Sequence, residues 1–204
     1  MSYLRNLYNW VLKWADSKYG PLALGLMALA EASFFPIPPD VLLIALCLGS
    51  QNKSFNFGLI CSIGSILGAT IGYAIGSFLW WNTPTTFTPL ANFFFDIIPG
   101  FSNDVFYSIK SQYEQWNFWI IFTAGFTPIP FKIFTITAGA FDINFILFLI
   151  ASTVSRSARF FIVCGLIWKY GKPIKKFIDK YFNILALAFT ILLFGGFLLA
   201  KLFI

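Results

Sequence analysis

With 204 residues, 58% of them hydrophobic and only 11% charged, and a mean hydropathy of +0.78, the chain is far from an ordinary soluble domain, where roughly a quarter of residues are charged. It has no histidine, and its three cysteines (Cys47, Cys61, Cys164) lie in apolar stretches without CxxC-type spacing; this excludes histidine-dependent chemistry and argues against a metal site, a disulfide framework or a cofactor. The net charge of +6 comes from basic residues that border apolar segments, which points to membrane topology and away from nucleic-acid binding.

The first residues make a poor signal peptide, because Arg5, Lys13, Asp16 and Lys18 interrupt the apolar run, so the segment is read as retained. Tyr3, Leu4, Leu7, Tyr8, Trp10, Val11 and Trp14 fall largely on one side of a helix, as in an amphipathic helix lying at a membrane surface or an ordinary cytoplasmic cap. Next comes an apolar stretch, Pro21 to Gly49, broken by Pro36-Ile37-Pro38-Pro39-Asp40. A straight helix cannot pass through such prolines. Phe57 to Trp80 is a clean span by the requirement of about 20 apolar residues. A loop is expected from Asn82 to Gln115. A second apolar stretch, Trp116 to Phe141, is broken by Pro128-Ile129-Pro130, and is followed by clean spans at Ile143 to Trp168 and Ile184 to Ile204.

Phe35-Pro36-Ile37-Pro38-Pro39-Asp40-Val41 reads onto Thr127-Pro128-Ile129-Pro130-Phe131-Lys132-Ile133, and each copy leads into a full span that ends in tryptophan (Trp80, Trp168). The predicted architecture is an all-α integral membrane protein. A single domain covers 1–204, with a first repeat at about 21–81, a second at about 116–168 and a C-terminal helix at 184–204. Each repeat is a re-entrant helical hairpin plus a transmembrane helix, and the repeats are inverted, as in transporters whose site lies at the bilayer midplane. Chance similarity of two PIP triplets and two proline-kinked spans are the alternatives. Lysines 169, 172, 175, 176 and 180 mark a cytoplasmic loop by the positive-inside rule. The N-terminus is then also cytoplasmic, the C-terminus lies outside, and the hairpins enter from opposite faces.

A charge at the bilayer centre costs roughly 2.5–3.5 kcal/mol even on the lenient insertion scale, so ionisable residues in apolar segments are read as functional by default. They are Glu31, Asp40, Lys132, Asp142, Arg156 and Arg159. Glu31, in the apolar run Leu22 to Phe35, is a candidate for reversible protonation or for a structural pair with a cation. Asp40 follows Pro39 at a helix start, so it either caps that helix or shares in proton coupling. Arg156 and Arg159 share a helix face and have the fork geometry that grips phosphate; they bind an anionic head group or neutralise Glu31 and Asp40. Lys132, opening a helix after Pro130, could add a phosphate contact. Gly64, Gly68, Gly72 and Gly76 recur every fourth residue and let another helix backbone approach closely.

The glutamate followed by PIPPD (Glu31 to Asp40), the glycine-rich span, FTPIPFK (Phe126 to Lys132) and the SRSARFF helix resemble the DedA family, which carries the SNARE-associated or VTT domain, and resemble its YqaA-like branch most. The resemblance covers nearly the whole chain. It implies two opposed re-entrant hairpins, with breaks at Pro36, Pro38, Pro39, Pro128 and Pro130, in a bacterial cytoplasmic membrane. It also implies movement of lipids such as polyprenyl phosphate, coupled to the proton gradient, with Glu31 and Asp40 at the family's acidic positions. Many members carry arginine on either side of the second proline motif, where this chain has Gly125 and Lys132; its arginines stand instead at 156 and 159.

The first functional expectation is therefore a flippase or scramblase. Its partners are membrane lipids with a phosphate head and protons, with a homo-oligomer left open. The alternative is a non-transporting scaffold or envelope-assembly factor with purely structural buried charges. An enzyme acting on lipid phosphate is disfavoured, because neither a nucleophile–base set nor a carboxylate cluster with metal spacing is present.

Overall fold

The structure, a computed structural model, describes residues 17–33, 38–83, 86–97, 103–127, 130–171 and 173. The N-terminal amphipathic helix, Pro36, Pro128, the lysines beyond Lys169 and the span at 184–204 lie outside the described residues. In chain order the elements are α1 (Gly20–Ser33), α2 (Asp40–Gly49), a 3-10 turn (Gln51–Lys53), α3 (Ser54–Trp80), β1 (Trp81–Thr83), β2 (Thr86–Phe87), α4 (Pro89–Ile97), α5 (Asn103–Phe126) and α6 (Phe131–Ala140), followed by α7 (Phe145–Gly171). The fold is all-α apart from the small antiparallel ribbon β1–β2, which pairs Trp81 with Phe87.

Among the described residues, two helices are long and apolar enough to cross a bilayer: α3 with its leading turn, Gln51–Trp80, and α7. They coincide with the spans read at Phe57–Trp80 and Ile143–Trp168. At 27 residues, α3 measures about 40 Å, whereas α1, with 14 residues, measures about 21 Å, and α2 and α6, with 10 each, about 15 Å. The expected loop at 82–115 is not a loop. It holds the β-ribbon, α4 and the first half of α5, which begins at Asn103 and not at Trp116. The polar residues there hide a helix from a hydropathy reading: Asp104 sits in the first turn, and Lys110 and Glu114 form an i,i+4 pair at 4.0 Å.

The α3 glycines organise the packing. A Cβ at Gly64 or Gly68 would collide with the carbonyl oxygens of Gly25 and Leu29 on α1, and one at Gly72 or Gly76 would collide with Thr135 and the Ile136 carbonyl on α6. The first half of the stripe therefore seats α1 and the second half seats α6, both running in the direction of α3. Such backbone contact supplies the dispersion and Cα–H···O attraction that holds helices together where lipid offers no hydrophobic driving force. Where α1 ends, the Thr135 hydroxyl of α6 donates to the Ala32 carbonyl at 3.0 Å, joining the two short helices end to end along α3.

Helix α7 runs antiparallel to α3. Gly58 faces Cys164, Ser65 meets Arg156, and the ring of Tyr73 packs on Phe148. Helix α2 runs with α7, since Asp40 meets Arg159 and the Cys47 and Cys164 sulfurs lie 3.7 Å apart; α2 is thus antiparallel to α1. Helix α5 begins beside Trp80 and Phe141, through Phe106, and reaches Ser155 of α7 at Gly125, which makes it antiparallel to α6. Two apolar clusters result. One, near Ser54, is built on Leu24, Leu43, Phe57 and Phe160; the other, towards Trp80, is built on Phe106, Ile121, Phe141 and Phe148. Large side chains also remain outward, among them Leu59, Ile63 and Leu67 on α3 and Ile146, Ile150 and Ile162 on α7. That is an apolar exterior of the kind a bilayer solvates.

Candidate functional site

Between the two apolar clusters, residues that flank the two proline breaks meet α7. Both breaks end by starting a helix: Pro39 is the N-cap of α2 and Pro130 the N-cap of α6. Proline suits a helix start because its missing N–H would have had no intrahelical partner there. Glu31 lies in the last turn of α1, just before the first break, and Asp40 is the first residue of α2, just after it.

Arg156 is the largest fully buried side chain among the described residues, at 1% exposure. Its Nη2 donates to Glu31 Oε2 at 2.6 Å and its Nε to the Ser65 hydroxyl of α3 at 2.7 Å. The guanidinium is also flanked by the rings of Phe131 and Phe160, at 5.0 and 4.8 Å from their centroids, close enough for cation–π attraction. One arginine thus ties α7 to α1, α3 and α6.

Arg159, one turn on, makes a different set of contacts. Its Nη2 donates to Asp40 Oδ2 at 2.7 Å, and its Nη1 to the Thr127 carbonyl at 2.9 Å. Thr127 immediately precedes Pro128, so Arg159 spans the residue after the first break and the residue before the second. This pair is less enclosed than its neighbour: the side chains of Arg159 and Asp40 are 17% and 21% exposed, against 1% and 13% for Arg156 and Glu31.

The structure brings together Glu31, Asp40, Arg156 and Arg159, two acids and two bases. Lys132 is half-buried in the first turn of α6 and makes no ion pair among the described residues. Asp40 is the acidic residue in the first turn of α2, where its charge favours the exposed amides, and its carboxylate accepts from Arg159. Asp142 is not a buried charge. It is exposed, with φ of 55°, at the end of α6. There its N–H donates to Gly139 O at 3.1 Å and that of Ile143 to Ala138 O at 3.0 Å, the paired bonds of a Schellman motif.

Sequence reasoning missed Ser65, Thr127, Phe131 and Phe160 as arginine partners. Ser65 was signalled only by standing beside Gly64 on the packed face of α3, and Thr127 only by its place in the proline motif. It also missed Ser152, whose fully buried hydroxyl, one turn before Arg156, has no hydrogen-bond partner among the described residues.

The model of the VTT domain matches residues 35–169. The chain belongs to the DedA family. The matched stretch contains both breaks, Asp40, Arg156 and Arg159, while Glu31 precedes it. This DedA-family protein is 32% identical over 184 residues to a Haemophilus influenzae protein described as uncharacterized, covering 88% of this chain and 90% of the relative. It is 30% identical over 177 residues to a Histophilus somni protein described in the same way, covering 84% and 85%. No solved structure matches. The family is a membrane family, in keeping with the apolar helices α3 and α7 of this member.

Proposed function

We propose that this DedA-family protein moves a lipid bearing a phosphate head, such as a polyprenyl phosphate or an anionic phospholipid, between membrane leaflets, with protons as the coupling ion. The observation that carries the reading is the Arg159 bridge: one partly accessible guanidinium holds Asp40 at 2.7 Å and the Thr127 carbonyl at 2.9 Å, one on each side of the paired breaks. A guanidinium fork satisfied by a carboxylate has the geometry to take phosphate oxygens instead.

In this reading α1–α2 and α5–α6 are re-entrant hairpins of an inverted repeat, entering from opposite faces of the cytoplasmic membrane, with the N-terminus and the lysine cluster from Lys169 cytoplasmic. What supports it is that α1 and α6 follow one another along α3, each too short to cross the roughly 30 Å hydrocarbon core alone. Protonation of Asp40 removes the anion that holds Arg159 and frees it for the lipid phosphate; deprotonation reclaims it and expels the head group. A two-state element biased by both proton and substrate is what alternating access requires. Arg156, enclosed by four partners, keeps the helices in register, and the Glu31–Arg156 pair responds to protons as a second step. Lys132 offers a further cation near the path of the head group. The lipid's chains stay in the bilayer throughout.

The scaffold reading draws on the same ion pairs, because both arginines are already neutralised within the fold. The test is exchange of a fluorescent polyprenyl phosphate, beside a fluorescent neutral phospholipid, in vesicles holding the purified protein, with and without a pH gradient. Exchange of the phosphate lipid that is lost in Glu31→Gln and Asp40→Asn supports transport coupled to protons. Gradient-independent exchange of both lipids identifies a scramblase. No exchange by folded protein favours the scaffold.

A further inference from the structure

The outward helix surfaces differ in kind. Those of α3 and α7 are aliphatic over most of their length, with Leu59, Ile63, Leu67 and Ile71 on one and Ile146, Ile150, Val154 and Ile162 on the other. Helix α5 instead carries rings. Phe118 stacks on Phe122 at 5.8 Å and 16°, and Phe122 on Phe126 at 5.9 Å and 7°, while Trp119 meets Phe122 edge-on at 6.1 Å. The i,i+4 spacing puts Phe118, Phe122 and Phe126 on one line, about 12 Å long. Phe126 is 42% exposed, and Phe118 and Phe122 are half-buried, with Phe118 also packed against the cluster of Phe106 and Phe141.

The inner end of this line is what gives it meaning. Phe126 is followed by Thr127, whose carbonyl accepts from Arg159. The ring line therefore ends one residue before the backbone carbonyl held by the guanidinium assigned to the phosphate head, and runs back from there along α5. Aromatic anchors at a membrane interface need no ligand to account for them, but this line runs along the helix as far as the proline break and does not form a belt at one level. A row of stiff, mutually stacked rings offers a hydrocarbon chain a continuous apolar edge with little side-chain entropy to lose.

We propose that Phe118, Phe122 and Phe126 form the track for the hydrocarbon chain of the lipid whose phosphate head is taken by Arg159, so that α5 is the side on which the substrate enters. The inference rests on the transport reading for its head-group site. The track fixes where the chain lies while the head crosses, and Phe126 is the residue closest along the chain to the point where head and tail diverge.

The test is photo-crosslinking in vesicles containing the full-length protein. The probes are a polyprenyl phosphate with a diazirine near the head end of its chain and the matching polyprenyl alcohol, which shares the chain and lacks the charge. Labelled residues are mapped by mass spectrometry. The phosphate probe is expected to label the Phe118–Phe126 face several-fold more than the alcohol, with the excess lost in Arg159→Ala. Phe122→Leu with Phe126→Leu should move the label off α5 while leaving Asp40–Arg159 intact. Equal labelling of α5 by both probes, or an excess centred on the aliphatic faces of α3 or α7, overturns the track. Leaflet exchange measured on the same vesicles separates the two ideas. Exchange without the α5 excess defeats the track alone, whereas an α5 excess without exchange upholds the track as a binding site and defeats transport.

Discussion

Removal of Glu31 should cost this fold more than any other single change at the site. Arg156 is 1% exposed and Glu31 13%, so Glu31→Ala leaves a desolvated guanidinium with the Ser65 hydroxyl and two ring faces for company. Breaking one side of a buried pair costs about 3–5 kcal/mol, most of it the stranded charge. Asp40→Ala strands a cation that is 17% exposed and keeps the Thr127 carbonyl; losing a hydrogen bond to a charged group there costs about 1.5–3 kcal/mol. Removing both members of the inner pair, as Glu31→Leu with Arg156→Met, leaves no stranded charge, and the double variant should be more stable than Glu31→Ala. Thermal midpoints of the purified variants in one detergent, followed by near-ultraviolet circular dichroism and combined as a double-mutant cycle, give the ordering. If the Glu31 and Arg156 effects simply add, or if Glu31→Ala melts with the wild type, the pair does not hold the helices in register and the assignment of Arg156 falls.

Other outcomes follow from single contacts. Asp142 holds a left-handed conformation at φ 55°, so Asp142→Gly should raise stability by up to about 1 kcal/mol in the same melting assay while leaving lipid exchange unchanged, since the left-handed cost it removes, about 1–2 kcal/mol, exceeds the unfolded-chain entropy glycine adds, about 0.4–1 kcal/mol. Gly76→Val places a branched side chain against the Ile136 carbonyl and should cost about 1–3 kcal/mol or more by separating α6 from α3, seen as a lower midpoint. The Cys47 and Cys164 sulfurs lie 3.7 Å apart and both thiols are free. A mild dithiol oxidant should therefore join α2 to α7, visible as a mobility change absent from Cys47→Ser, and the joined protein should stop exchanging lipid if α2 moves during transport.

The two long helices were legible because an unbroken apolar run of bilayer length is what a membrane-crossing helix requires, and the proline triplets were legible as breaks because proline cannot continue a helix. The glycine stripe announced close packing, but not that its lower half seats α1 and its upper half α6, since spacing along one helix does not name its partners. The start of α5 was hidden because Asn103 to Gln115 is polar and its helix is supported by a local Lys110–Glu114 pair and by Phe106 and Tyr113 packed beneath. The four charged residues stood out against their apolar surroundings, and pairing between them was one of the two readings the sequence left open. It could not say which arginine takes which acid, and that decides their roles: Arg156 has its partners on all sides, while Arg159 keeps some exposure and straddles both breaks. Asp142 looked like its neighbours in sequence because a hydropathy reading does not register backbone conformation.

The central claim is that Asp40 and a lipid phosphate compete for Arg159. Its most direct test is the affinity of the protein, in nanodiscs, for a polyprenyl phosphodiester, measured side by side for the wild type, Asp40→Asn and Arg159→Ala. Asp40→Asn, which removes the competing carboxylate charge, should bind more tightly than the wild type, and Arg159→Ala should bind poorly. Undiminished binding by Arg159→Ala, or equal binding by Asp40→Asn and the wild type, would contradict the competition and with it the proposed release of the guanidinium to the lipid head group.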